Sequence, residues 1–133
     1  MILYSIGKRI KNFISVKVLS DFKVKKDKII SGEEYLKNKD KMTDGIVCWY
    51  YDDGKIKSEC SYKNKLLNGI SVHYYKSGKV KAKENYKQNK LEGLSIHYYE
   101  NGRLMSEENY RSGTLISRRT FDEFGKLTIE KSS

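Results

Sequence analysis

The chain of 133 residues contains no proline. Proline removes a donor from a sheet ladder, so its absence suits a chain of unbroken strand pairing. Two cysteines, Cys48 and Cys60, are too few for a disulfide framework, and no CxxC or Cys/His spacing suggests zinc. No run of apolar residues is long enough for a transmembrane helix. The first residues carry Lys8, Arg9 and Lys11 inside an apolar stretch, with no small-residue cleavage site after it. No secretory signal is therefore expected, and the cytoplasm is the expected compartment. Glycine-rich phosphate loops, HExxH, GxSxG and nucleophile–base spacings are all missing. The expectation is a chain that is not an enzyme, with no catalytic residue, no metal ligand and no cofactor.

Apolar material is also scarce. Hydrophobic residues make up 38% and charged residues 33%, which points to a small core or a single-layer architecture. Lys and Arg outnumber Asp and Glu by 27 to 17, a net charge of +10. The excess is spread along the chain: 11 against 6 in residues 1–44, 12 against 8 in 45–116, and 4 against 3 in 117–133. Positives so diffuse suit a well-solvated surface, and they would also attract an acidic protein, nucleic acid or an anionic membrane.

What is abundant is tyrosine, 11 residues at regular intervals. Gly45-Ile-Val-Cys-Trp-Tyr-Tyr51 recurs as Gly69-Ile-Ser-Val-His-Tyr-Tyr75 and Gly93-Leu-Ser-Ile-His-Tyr-Tyr99, a period of 24. Gly54-Lys-Ile, Gly78-Lys-Val and Gly102-Arg-Leu follow, and Tyr62, Tyr86 and Tyr110 close the units. Full units fall near 45–68, 69–92 and 93–116, with partial units at 28–44 and 117–133 and a cap segment at 1–27. Upstream, Lys28–Tyr35 aligns with Lys55–Tyr62 as half a unit; downstream, Phe121 stands where Tyr98 stands in the unit before.

Each unit reads as a β-hairpin, because both halves alternate and favour β-branched and aromatic residues. Three residues ending in Gly54, Gly78 or Gly102 form a type I turn with a bulge. The connection Lys63–Asn68 and its equivalents reads as polar and looser. The expected fold is all-β: an elongated antiparallel single-layer meander of tandem hairpins, with a short N-terminal helix or extended cap. Residues 2–14 have amphipathic helical spacing and would cap the sheet in preference to lying on a membrane.

A uniform hairpin register pairs Tyr50 with Ile56, Cys48 with Ser58 and Ile46 with Cys60. It places Glu84 and Glu108 on this apolar face, together with Tyr62, Tyr86 and Tyr110. The two cysteines share that face as free thiols. The opposite face then aligns Tyr51, Tyr75 and Tyr99 in one row, Trp49, His73 and His97 in a second, and Lys55, Lys79 and Arg103 in a third. His73 faces Lys81 there, and Trp49 faces Lys57. The candidate partner-binding residues are Trp49, Tyr51, Lys57, His73, Tyr75, Lys81, His97, Tyr99 and Arg103, because aromatic and cationic groups on an open face can stack and make cation–π contacts. Cross-strand aromatic–lysine pairs also serve a sheet structurally, and that reading stays open. His73 and His97 lie on neighbouring hairpins without further ligands, so no metal site is expected.

The unit at Gly69–Tyr86, with its leading Gly, its Tyr-Tyr pair, Gly-Lys-Val and closing Tyr, resembles the MORN repeat variant. It is the repeat of the YwqK-like antitoxin proteins of bacteria. The resemblance spans about residues 28–127 and implies an antiparallel sheet of hairpins. It also implies an antitoxin or immunity role, binding and blocking a cognate toxin or effector protein. A phage-type inhibitor of a nucleic-acid-processing defence effector would share the pattern. Two further readings stand beside it: direct nucleic-acid binding through the basic aromatic face, and membrane-surface scaffolding. Open sheet edges would let two copies pair.

Overall fold

Alternation along the repeat drives most of the chain into strands, and in the computed structural model, which describes residues 29–38 and 44–132, those strands form an open sheet. The expected helix at 2–14 lies outside the described residues. The elements are β1 (Ile29–Ser31), α1 (Gly32–Asn38), β2 (Gly45–Tyr50), β3 (Ile56–Lys63), β4 (Leu66–Tyr74), β5 (Val80–Lys87), β6 (Lys90–Leu91), β7 (Gly93–Tyr98), β8 (Leu104–Arg111), β9 (Thr114–Phe121) and β10 (Leu127–Ser132). Strand order follows the chain, β6 pairs with β5 beside β7, and each neighbour is antiparallel except β1, which runs parallel to β2. The expected all-β meander is the observed architecture.

The upstream half-unit departs from its expected strand. Ser31 Oγ accepts the amide of Glu34 at 3.1 Å and starts a helix, as a Ser-x-x-Glu capping sequence does. Glu33 and Glu34 in the first turn and Lys37 in the last suit the helix dipole. Ile29–Ser31 remains a three-residue strand.

The three-residue turns form as the glycine spacing predicts. Gly54 N donates to Tyr51 O and Tyr51 N to Lys55 O, both at 2.8 Å, and the same pair of bonds recurs at Tyr75, Tyr99 and Asp122. The intervening connections are not loose. Lys63 pairs with Leu66, and Asn64 and Lys65 take φ of 51° and 65°, a two-residue mirror turn. Gln88–Asn89 and Ser112–Gly113 repeat it. Side chains 20 residues upstream hold these turns: Asp44 accepts the amide of Asn64 at 2.9 Å, Asn68 that of Gln88 at 3.3 Å, and Glu92 that of Ser112 at 2.6 Å. Each later turn also docks on its predecessor, through Asn89 N to Leu67 O at 2.9 Å and Gly113 N to Leu91 O at 2.8 Å.

The register carries the main correction. Tyr50 pairs with Ile56 as expected, but a β-bulge follows, so Trp49 pairs with Ser58, Cys48 with Glu59 and Val47 with Cys60. The same shift falls between His73 and Tyr74 and between His97 and Tyr98. One extra residue reverses the face of everything beyond it in the second strand. Cys60, Glu84, Glu108, Tyr62, Tyr86 and Tyr110 therefore lie on the face of Trp49, His73 and His97. Cys48 and Cys60 occupy opposite faces, and both are free and buried.

The core sits on the other face, where Ile46, Cys48, Val72 and Tyr74 cluster with Ile29, Tyr50, Ile56, Ile70 and Val80 around them. Glu59 is turned into it, 2% exposed, and accepts the Tyr74 hydroxyl at 2.8 Å. Successive hairpins are tied by tyrosines: Tyr51 Oη donates to Tyr74 O and Tyr75 Oη to Tyr98 O, both at 2.7 Å, and Tyr99 Oη to Phe121 O at 2.9 Å.

The tight turns make a test of opposite signs. Lys65→Gly relieves a left-handed side chain and is expected to stabilise the fold by about 0.5–1 kcal/mol. Gly113→Ala, at φ 85°, is expected to destabilise it by about 1 kcal/mol. Urea unfolding of the two variants against wild type measures both.

Candidate functional site

The bulge builds a repeated polar set from residues distant in sequence. In the second unit His73 Nε2 lies 3.2 Å from the Glu84 carboxylate, which also accepts the Tyr86 hydroxyl at 2.8 Å. In the third, His97 Nε2 lies 3.9 Å from Glu108, which accepts the Tyr110 hydroxyl at 2.6 Å and meets Arg118 Nε at 2.8 Å. In the first unit the equivalent positions hold Trp49, Cys60 and Tyr62. That apolar version lies under α1: the Tyr35 and Tyr62 rings are 4.9 Å apart, and Gly32 sits against Trp49. The break in the repeat at Trp49 thus serves helix packing.

The sequence-predicted site residues separate into groups. His73 and His97 join the carboxylates. Tyr51, Tyr75 and Tyr99 line up as expected, with their hydroxyls given to the next hairpin. Lys57 and Lys81 are bulge residues; their Nζ atoms stand 5.9 and 5.7 Å from the Tyr51 and Tyr75 ring centroids. His73 pairs with Ala82, not Lys81. Arg103 donates through Nη1 to Glu123 O at 2.8 Å in the next turn. Among the described residues no group of three or more His, Cys, Asp or Glu is placed to hold a metal ion, and no helix is long and apolar enough to cross a membrane.

Two features escaped the sequence reading. One is a gradient of exposure along the apolar face. Ile46, Ile70 and Leu94 are equivalent by the period, yet Ile46 is 2% and Leu94 52% exposed. Beyond Leu94, Phe124 in the last three-residue turn and Leu127 on the same face are exposed as well, while the exposed Ile129 pairs with Thr120 on the histidine face. The other is the row of cations at the tight turns, which only the true turn type brings into line. The period marks these positions as repeats but carries no signal of which copies are covered.

Burial and hydrogen bonding set the titration of the polar face and the core. The hydrogen bond with His73 holds the Glu84 carboxyl below its ordinary value, against the cost of burial. Its stabilising effect is present above the ordinary carboxylate value and is lost as pH falls through the lowered one. Burial raises the Cys48 thiol to about 12, helped by Glu59, and raises Tyr62 to about 12. Tyr86 is raised by burial and by its bond to Glu84. Raised groups stabilise the fold fully below their ordinary values of 9.0 for thiol and 10.0 for phenol, and that stability is lost as pH rises through the raised values. Thermal melts are therefore expected to hold level to about pH 9 and to fall between about pH 9 and 12, less steeply in Tyr86→Phe.

The α1 contact is testable through the one tryptophan. A Cβ at Gly32 would lie 2.3 Å from Trp49 Cε3. Gly32→Ala is expected to cost about 1–3 kcal/mol and to shift Trp49 fluorescence to the red as α1 lifts.

Residues 43–64, 67–88 and 91–112 match the model of the MORN repeat variant. No curated protein matches the chain. A solved structure described as "Crystal structure of GtfA/B complex bound to UDP and GlcNAc" is 17% identical over 62% of this chain, with a TM-score of 0.25. This chain spans 17% of that one.

Proposed function

We propose that this chain, a tandem array of three MORN-variant repeats, is a non-catalytic binding module that docks a protein through the uncovered end of its apolar face. The finer reading is an antitoxin- or immunity-type inhibitor that occludes a cognate effector. The observation that carries it is the gradient from Ile46 to Leu94. The column that is buried at Ile46 in the first unit lies open at Leu94 in the third, and the same face ends in the exposed Leu127, with exposed Phe124 in the turn before it. Exposed apolar patches rimmed by polar groups mark protein contact sites. The chain's net charge of +10 and the exposed Lys126 beside Leu127 select an acidic partner whose apolar anchors are bordered by carboxylates. MORN repeats serve this reading as a scaffold: the tyrosines and glycines that recur hold hairpins together, and specificity falls to the side chains they leave open.

The experiment is co-expression with the protein encoded by the neighbouring reading frame. A one-to-one complex and relief of that protein's toxicity are expected. Leu94→Asp with Leu127→Asp is expected to weaken the complex at least tenfold without lowering the melting temperature. Unchanged affinity in that variant would remove the apolar end as the site, and no complex at all would remove the inhibitor reading.

A further inference from the structure

We infer that the rim of tight turns is a binding edge for the phosphodiester backbone of duplex nucleic acid. Lys63 precedes the first turn and Lys65 lies in it, Lys87 and Lys90 flank the second, and Arg111 precedes the third; all five are exposed. Among the described residues none of them enters an ion pair. The carboxylates beside these turns, Asp44 and Glu92, are turned inward as acceptors for the amides of Asn64 and Ser112. The five cations outnumber these two carboxylates at the rim.

The turns are also held in a row. Asn89 N to Leu67 O and Gly113 N to Leu91 O fix each turn on the one before. Two strand spacings separate neighbours, about 10 Å, so three turns span about 20 Å. That length faces the backbone of about six base pairs. The opposite rim is different in kind: Asp52, Asp53, Glu100 and Glu123 alternate there with Lys55, Lys76, Lys79 and Arg103. Lys55 lies 3.9 Å from Asp53, and Arg103 is engaged with Glu123 O.

The chemistry of the rim favours a polyphosphate backbone over an acidic protein. A protein interface depends on buried aromatic or apolar anchors, and the leucines of this rim, Leu66, Leu67, Leu91 and Leu115, are half-buried in the sheet. Backbone binding needs only aligned cations and is independent of base sequence. The tyrosines next to this edge, Tyr62, Tyr86 and Tyr110, are half-buried on one face of the sheet: Tyr62 packs on Tyr35, and the Tyr86 and Tyr110 hydroxyls are given to Glu84 and Glu108. The edge thus offers cations without an open stacking platform, and duplex fits it better than single strands. The edge lies at the opposite end of the strands from Phe124 and Leu127 of the surface proposed for protein docking.

The test is fluorescence anisotropy of the full chain with a 20-base-pair DNA duplex of mixed sequence, from 50 to 200 mM NaCl. Five neutralised phosphates predict a log–log salt slope of about −4.5, a loss of about 500-fold over that range. Lys87→Gln with Lys90→Gln is expected to reduce the slope by about two, while Lys55→Gln with Lys79→Gln leaves it unchanged. Leu127→Asp, at the other end of the strands and part of the protein-docking reading, is expected to leave DNA binding as it is. Melting curves confirm that each variant folds. The inference is overturned by absence of saturable binding at 50 mM NaCl, or by a slope indifferent to the Lys87/Lys90 change. Displacement by poly-glutamate as efficient as by duplex DNA would also overturn it, in favour of an acidic polypeptide.

Discussion

One extra residue in the second strand of each hairpin decides what this sheet presents on either side. The bulge falls just after the pair next to the turn, at Trp49/Tyr50, His73/Tyr74 and His97/Tyr98. Because side chains alternate with a period of two, the shift carries Glu84, Glu108 and the closing tyrosines to the histidine face. It also turns Glu59 into the core, where the Tyr74 hydroxyl meets it. Without the bulge His73 would face a lysine and Glu84 would lie among aliphatic side chains.

The repeat then distributes its surfaces unevenly. In the first unit the polar triad becomes Trp49, Cys60 and Tyr62, and α1 closes over it. In the second and third units His, Glu and Tyr stay half-exposed and bonded to one another. On the other face the order is similar: the columns begin buried at Ile46 and end open at Leu94. A tandem array can do this because each hairpin is held by its neighbours through the tyrosine hydroxyls and turn amides. Those bonds are the same at every step, so the side chains between them are free to change from core to interface.

The two rims divide the charge in the same way. At the three-residue turns, cations and carboxylates alternate and partly cancel. At the tight turns, two carboxylates bond to backbone amides, and among the described residues the five cations enter no ion pair. The first amide of each tight turn, at Asn64, Gln88 and Ser112, is accepted by Asp44, Asn68 and Glu92, which helps to hold the left-handed conformations there.

The period of 24, the paired tyrosines and the glycine ending each three-residue turn were enough to establish the hairpins, their order and the type of that turn, because these depend on local alternation and on φ at single residues. The two-residue turns between units carry no such glycine at Asn64–Lys65 and Gln88–Asn89. The rows Tyr51–Tyr75–Tyr99 and Trp49–His73–His97 followed from the period alone. The faces of Glu84, Glu108, Cys60 and the closing tyrosines did not, because a bulge leaves no mark in composition and its effect appears only when two strands pair. The helix at Gly32–Asn38 hid behind its likeness to Lys55–Tyr62, although its Ser-x-x-Glu start was present. Which copies of a repeated residue are covered, Ile46 or Leu94, and which lysines keep a free charge were settled only by tertiary structure. Burial and ion pairing depend on neighbours in space, and identical residues in identical units differ in nothing else.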